Sequence, residues 1–240
     1  MGCKVGTYRL PADRTRRRVP QGVGSEGLQF LESCRACSRL AAHLKGIRAA
    51  HPAYHARPVA PFGSDQPRLL VVGLAPGLNG ANRTGRPFTG DAAGILLYEA
   101  LHRYGFASQP HSTDASDGMT LKDCRITNAV KCLPPANRPL PDEINRCNRY
   151  LKAELAALPP GAAVLALGRI AHAAVLKALG LPLSALPFMH GSRHDLTRRQ
   201  VLYDSYHCSR YNTQTGRLTR AMFHGVMSSI ARDLAASGTR

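Results

Sequence analysis

The chain is short of carboxylates, has no long apolar run and shows no repeat, and each absence narrows what it can be. Only 15 Asp and Glu stand against 32 Lys and Arg, which leaves a net charge of +17 and a pI near 10.2. A balance this basic points to a polyanionic partner, with nucleic acid foremost. No stretch approaches the roughly 18 consecutive apolar residues of a membrane-spanning helix, so no membrane span is expected. Residues 1–22 carry basic side chains but no apolar core segment, so they do not read as a secretory signal, and Arg16-Arg17 is not a twin-arginine signal. The lack of any repeat or heptad pattern sets aside solenoids and coiled coils. The expectation is a cytoplasmic protein in a reducing compartment, where its seven cysteines suggest metal or cluster ligation before disulfides.

What is present suits a single domain with a tail: 240 residues, 44% of them hydrophobic. Residues 1–24, with Arg14, Arg16, Arg17 and Arg18 among Pro and Gly, read as a flexible basic arm. Residues 25–240 read as the folded domain. An apolar run, 69–72, enters a polar, glycine-rich loop, 73–91, and a helical pattern follows at 92–104. Five glycines lie from Gly73 to Gly90, and glycine suits turns with positive φ and places where a ligand approaches the backbone. A loop between a strand's carboxyl end and a helix N-terminus is the usual ligand position in an open α/β sheet. The loop lacks the Lys-Ser/Thr ending of a nucleotide-binding P-loop.

Similar passages follow. A strand over 121–130, ending at Asn128, leads into a Pro-rich turn and a helix over 141–158. A buried strand over 163–167 precedes a helix over 168–179. A strand over 200–205 runs into a third polar loop and a last helix, 219–235. Strands alternating with helices predict an α/β fold: a three-layer α/β/α domain around a mostly parallel four-stranded sheet. The three polar loops leave carboxyl ends of strands, so one cleft can collect them. A helix over 26–47 is predicted to contain Cys34 and Cys37, 50–67 and 182–199 read as loops, and a short strand is placed near Phe188.

Cys34, Cys37, Cys132 and Cys147 form C-x2-C followed, after a long gap, by C-x14-C. Four thiolates from two distant segments suit either tetrahedral zinc or an iron–sulfur cluster, and the spacing does not choose between them. Cys3 is read as a tail residue, Cys124 as a buried small hydrophobe and Cys208 as a loop residue.

Three segments together resemble the uracil-DNA glycosylase superfamily, and most closely its type 5, iron–sulfur branch. They are Gly73-Leu74-Ala75-Pro76-Gly77 through Asn82-Arg83-Thr84-Gly85-Arg86 to Phe88-Thr89-Gly90-Asp91; Thr127-Asn128-Ala129-Val130-Lys131-Cys132; and Ser205-Tyr206-His207 with Asn212-Thr213 and Thr215-Gly216-Arg217-Leu218. The resemblance spans about residues 28–235. It implies a [4Fe-4S] cluster on the four cysteines rather than zinc. It also implies a monofunctional, monomeric glycosylase of base excision repair that acts on single- and double-stranded DNA. The enzyme hydrolyses the N-glycosidic bond of uracil, and of other deaminated bases such as hypoxanthine, and leaves an abasic site. Two departures from the wider superfamily stand out. Cys208 follows the third-motif histidine where many members have Pro, and Ala75 and Leu78 stand where some branches carry a water-activating Asp or Asn. The type 5 branch shares the second departure. A uracil-only type 4 enzyme and a non-catalytic DNA-binding protein with a structural metal are the alternatives.

The expected transition state is positive on the sugar and negative on the departing base, so a donor at the base oxygen and a carboxylate near the sugar are the useful groups. His207 suits the donor, since a neutral imidazole donates without taking a proton from water. Asp91, the sole carboxylate of its loop, suits the water or the sugar cation, and equally suits an N-cap of the helix after it. Asn79 is a second candidate for holding water. Phe88 is the candidate platform for the flipped base and Asn128 the candidate reader of its edge. Gly73, Ala75 and Gly77 offer backbone contacts. Arg83, Arg86 and Arg217 suit phosphates or loop bracing, Ser209 a phosphate, and Arg210 and Tyr211 the wedge into the duplex. No lysine is placed as a Schiff-base nucleophile.

Overall fold

The structure, a computed structural model, describes residues 30–237. The basic arm, with Arg14, Arg16, Arg17 and Arg18, and Cys3 lie outside the described residues. In chain order the elements are α1 (Ser38–Ala50), β1 (Phe62–Gly63), β2 (Leu69–Gly73), α2 (Ala81–Thr84), α3 (Ala92–Arg103), β3 (Cys124–Asn128), α4 (Pro141–Ala156), β4 (Ala163–Leu167), α5 (Arg169–Ala178), β5 (Arg193–Asp195), β6 (Val201–Ser205), α6 (Arg210–Gln214) and α7 (Arg220–Ser237). The fold is α/β, with seven helices and one six-stranded, mostly parallel sheet among the described residues, in the order β1-β3-β2-β4-β6-β5.

The four expected strands form the parallel centre. Val71 of β2 pairs with Ile126 of β3 on one side and Leu165 of β4 on the other, and Leu165 pairs in turn with Tyr203 of β6. β2, β4 and β6 are buried from end to end, and Leu-Leu-Val-Val of β2 and Ala-Val-Leu-Ala-Leu of β4 read as strands covered on both faces. Alternate residues serve opposite faces. Leu69 and Val71 join the core of Leu97, Leu101, Phe223 and Ile230 from α3 and α7. Leu70 and Val72 join Leu151, Leu155, Val175 and Leu176 from α4 and α5.

The sheet corrects the four-strand expectation by two edge strands. β1 pairs antiparallel with β3 and β5 antiparallel with β6. β1 is only two residues long, too short to leave a periodic signal. β5 reads Arg-His-Asp and stays partly open to solvent, so it shows no apolar alternation. No strand forms at Phe188. The first helix begins at Ser38 rather than near 26, with Cys37 extended at its N-cap. Cys34 and Cys37 therefore sit before the helix, where the backbone can turn both sulfurs inward. Two short helices, α2 and α6, form inside the first and third polar loops.

β2 lies between β3 and β4, so the chain winds one way to β3 and then crosses to β4 and β6. The point where the strand order reverses, between β2 and β4, leaves a crevice at the strands' carboxyl ends.

Candidate active site

A cleft of about 720 Å³ opens at that crevice. Leu74, Ala75 and Gly77 after β2, Asn128 at the end of β3, Leu167 at the end of β4 with Gly168 after it, and Tyr206 and His207 after β6 line it. Phe88 and Asp91 complete the floor.

Phe88 is buried, with φ at 55°, a strained setting for a bulky residue. Its ring stacks on His207 with centroids 5.7 Å apart and planes 27° from parallel. Two glycines make room for it. A Cβ on Gly73 would lie 2.6 Å from Phe88 Cζ and 2.4 Å from Asn128 Oδ1, and a Cβ on Gly94 would strike the Phe88 carbonyl at 1.8 Å. Asn128 is 3% exposed and its Oδ1 has no hydrogen-bond partner. A buried acceptor left unpaired costs on the order of 1–3 kcal/mol.

His207 keeps part of its surface open to the cleft, but protein encloses its other sides. Burial pushes its pKa down to about 4, so the imidazole is neutral at physiological pH. The Asn212 side chain donates to the His207 carbonyl at 2.8 Å and holds this loop in place. Cys208, read from the sequence as a loop residue, is fully buried, and burial together with the Asp91 charge raises its thiol to about 12.

Asp91 divides its two oxygens. Oδ1 accepts from the amides of Ala93 (3.0 Å) and Gly94 (3.3 Å), capping α3. Among the described residues Oδ2 makes no hydrogen bond; it faces Gly77 and Gly80, where a Cβ on Gly80 would come within 2.0 Å of it. Burial raises the Asp91 pKa, while the Gly94 and Ala93 amides pull it back in part.

Comparison with known proteins gives this geometry its context. The model of the uracil DNA glycosylase superfamily matches residues 60–231. A type-5 uracil-DNA glycosylase of Thermus thermophilus is 47% identical over 210 residues, covering 85% of this chain and 95% of the relative. One from Pyrobaculum aerophilum is 40% identical, covering 92% and 98%. The chain belongs to the uracil DNA glycosylase superfamily. Within it, similarity to the type 5 branch covers most of the chain, whereas a type-4 uracil-DNA glycosylase of Archaeoglobus fulgidus is 34% identical over 57% of it.

Seen as a superfamily member, the chain collects most of the residues expected at its site, but not all. Asn79 is exposed and outside the cleft lining, and its Oδ1 accepts from the Tyr54 hydroxyl at 3.1 Å. Arg83 braces the loop, donating to the carbonyls of Asn79 and Gly90. Arg86 is buried, stacks over Phe62 and bonds Ser112, Ala115 and Asp117, with its ion pair to Asp117 at 2.6 Å. It lies outside the cleft lining, and these bonds suit the loop-bracing role better than a phosphate contact. Gly73 lies behind the lining, under Phe88 and Asn128. Arg217 reaches the cleft with its guanidinium 4.9 Å from the Tyr206 ring centroid, and Arg210 also lines it. The Ser209 hydroxyl accepts from the Asn212 amide and caps α6. Tyr211 is 69% exposed beside the cleft.

The sequence reading missed the far wall, where Phe188, Arg169, Ile170 and Asn137 stand. Behind Phe188 a buried network fixes this wall. His172 Nδ1 lies 2.7 Å from Asp204 and its Nε2 lies 2.8 Å from the Leu186 carbonyl, while His194 lies 3.2 Å from the other Asp204 oxygen. The only available signal was Tyr206, adjacent to His207 in the third motif.

Cys34, Cys37, Cys132 and Cys147 line one small cavity, shelled by Phe30, Leu40, Val130 and Tyr150. The Lys131 amide donates to Cys147 Sγ at 3.3 Å. Burial and the neighbouring sulfurs raise the Cys132 thiol to about 12. The Lys131 ammonium is buried and paired with Glu154 at 2.8 Å.

Proposed function

We propose that this protein is a monofunctional uracil-DNA glycosylase of base excision repair that also accepts other deaminated bases. One observation carries the reading: a neutral imidazole, an aromatic ring, an unpaired amide oxygen and a free carboxylate oxygen converge in one cleft.

Each group suits a step of N-glycosidic hydrolysis. The target base leaves the stack, which costs a few kcal/mol and least at a mismatch. It then lies against Phe88. Asn128 Oδ1 accepts from the imide N–H of the base. His207 donates to the oxygen on which negative charge develops, and it stays neutral while doing so. Asp91 Oδ2 holds water near the sugar or faces the oxocarbenium charge, while Oδ1 keeps the helix cap. Arg210 and Arg217 meet the phosphates, and Tyr211 stands ready as a wedge. With Lys131 buried against Glu154, no lysine in the lining is placed to form a Schiff base, which supports a glycosylase without lyase chemistry.

The four cysteines suit a [4Fe-4S] cluster. Tetrahedral zinc holds its sulfurs about 3.8 Å apart. Among the described residues, the group of three or more potential ligand atoms lying within 4.8 Å of one another is His172, His194 and Asp204, and it contains no cysteine. Four thiols around one cavity whose lining holds no histidine or carboxylate are a donor set that such a cluster takes. When bound, it joins the segment before α1 to the Cys132 turn and α4 and supplies stability across a sequence gap.

The test is direct. Purified protein is incubated with a uracil-containing duplex, and abasic sites are cleaved with alkali. Strand breaks are expected, at a level far above a His207→Ala control. No difference from that control refutes the proposal.

A further inference from the structure

A second basic site lies outside the cleft. A groove of about 720 Å³ runs along α1 and the segment after it, lined by Arg35, Lys45, Arg48 and Arg57, with Glu32 as its single carboxylate. Arg48 donates to the Ala56 carbonyl and is held by that bond. Arg35, Lys45 and Arg57 are exposed and, among the described residues, have no ion pair or hydrogen bond. Three unpaired cations facing one groove repel one another, and an anion with repeating charge relieves that repulsion.

The groove is connected to the cleft by contact. Cys34 lines both the groove and the cysteine cavity. Ala75 packs against the core beside that cavity and also lines the cleft. The segment after α1 also meets the first motif directly: His55 and Ala56 donate their amides to the carbonyls of Arg83 and Asn82, and Tyr54 bonds Asn79. Cleft, cysteine cavity and groove are therefore linked by shared or directly bonded residues.

We propose that this groove binds the phosphate backbone of the same DNA that delivers a base to the cleft, away from the damaged nucleotide. The inference rests on the reading of DNA as the substrate. The groove carries affinity and register and takes no part in bond cleavage, because none of its side chains lines the cleft.

The test compares the wild-type holoprotein with a Lys45→Gln/Arg57→Gln double variant, after iron content and thermal melting are matched. Binding to a uracil duplex and to an undamaged duplex is measured from 50 to 200 mM salt, with single-turnover base release at saturating protein. Each phosphate contact contributes about −0.9 to the slope of log affinity against log salt. Loss of two is expected to flatten the slope by about 1.8 and weaken low-salt binding on the order of tenfold, with the saturated cleavage rate unchanged. A Lys45→Arg/Arg57→Lys variant is expected to restore the slope. Unchanged slope and affinity overturn the proposal, as does a slower saturated rate with affinity intact. A wild-type protein that binds with the full slope but releases no uracil refutes the glycosylase reading and leaves the groove standing.

Discussion

Replacing Asp91 by Asn separates a helix cap from a catalytic carboxylate. In the native protein Oδ1 accepts two amides at the start of α3, and Oδ2 stands unpaired between Gly77 and Gly80. Asn caps helices about as well as Asp, so Asp91→Asn is expected to cost only a few tenths of a kcal/mol, plus about 0.3–1 kcal/mol from the lost charge at the helix dipole. Asp91→Ala removes the cap outright, at about 1 kcal/mol, or roughly 2–4 °C in Tm for a domain of this size. The chemical role has a different magnitude. A positioned carboxylate that handles water or the sugar cation contributes on the order of 10²–10⁴ in rate, equivalent to about 2.7–5.4 kcal/mol of barrier. Single-turnover uracil release with excess protein, alongside thermal melting, reads both quantities. The expected outcome is an Asn variant that melts close to wild type and releases base at least a hundredfold more slowly. An Asn variant within threefold of the wild-type rate would refute the reasoning and leave Asp91 as a cap alone.

The pH profile follows from two shifts of the same origin. Burial holds His207 at about 4, so its imidazole is neutral at neutral pH, and burial raises Asp91 above the ordinary carboxylate value, so the rate is expected to fall as pH drops through that raised pKa. An acid limb centred on the ordinary histidine value would contradict this. For stability, the unfolded chain takes up the His207 proton first, so its contribution is present above 6.5 and is lost as pH falls towards about 4. Gly73→Ala places a Cβ against Asn128 and Phe88, and the rate is expected to fall with the fold intact by circular dichroism. Arg86→Ala breaks a buried ion pair and is expected to cost about 3 kcal/mol, on the order of 10 °C in Tm, while the salt dependence of DNA binding stays unchanged. Cys147→Ser is expected to lower bound iron and Tm together.

Much of the site was legible because the chain writes it locally. The order strand, polar loop, helix places the 73–91 loop, Asn128 and His207 at carboxyl ends of parallel strands, and parallel pairing then brings those ends together. β2 and β4 were readable for a related reason: a strand covered on both faces is apolar throughout. Partners far apart in sequence were not legible. Whether Arg86 meets a phosphate or Asp117 depends on a segment about 30 residues away that folds over it. Asn79 turned to Tyr54, and Phe188 reached the cleft from a stretch with no periodicity. The edge strands β1 and β5, too short or too polar to show a period, exist because β3 and β6 offered them an open edge. By itself, then, the sequence determined the sheet's centre, the loops of the cleft and the residue types in them, because local pattern and chain order encode these. The tertiary structure alone decided which oxygen of Asp91 is free, why His207 is neutral and which arginines remain available to DNA, because burial and pairing belong to the whole fold.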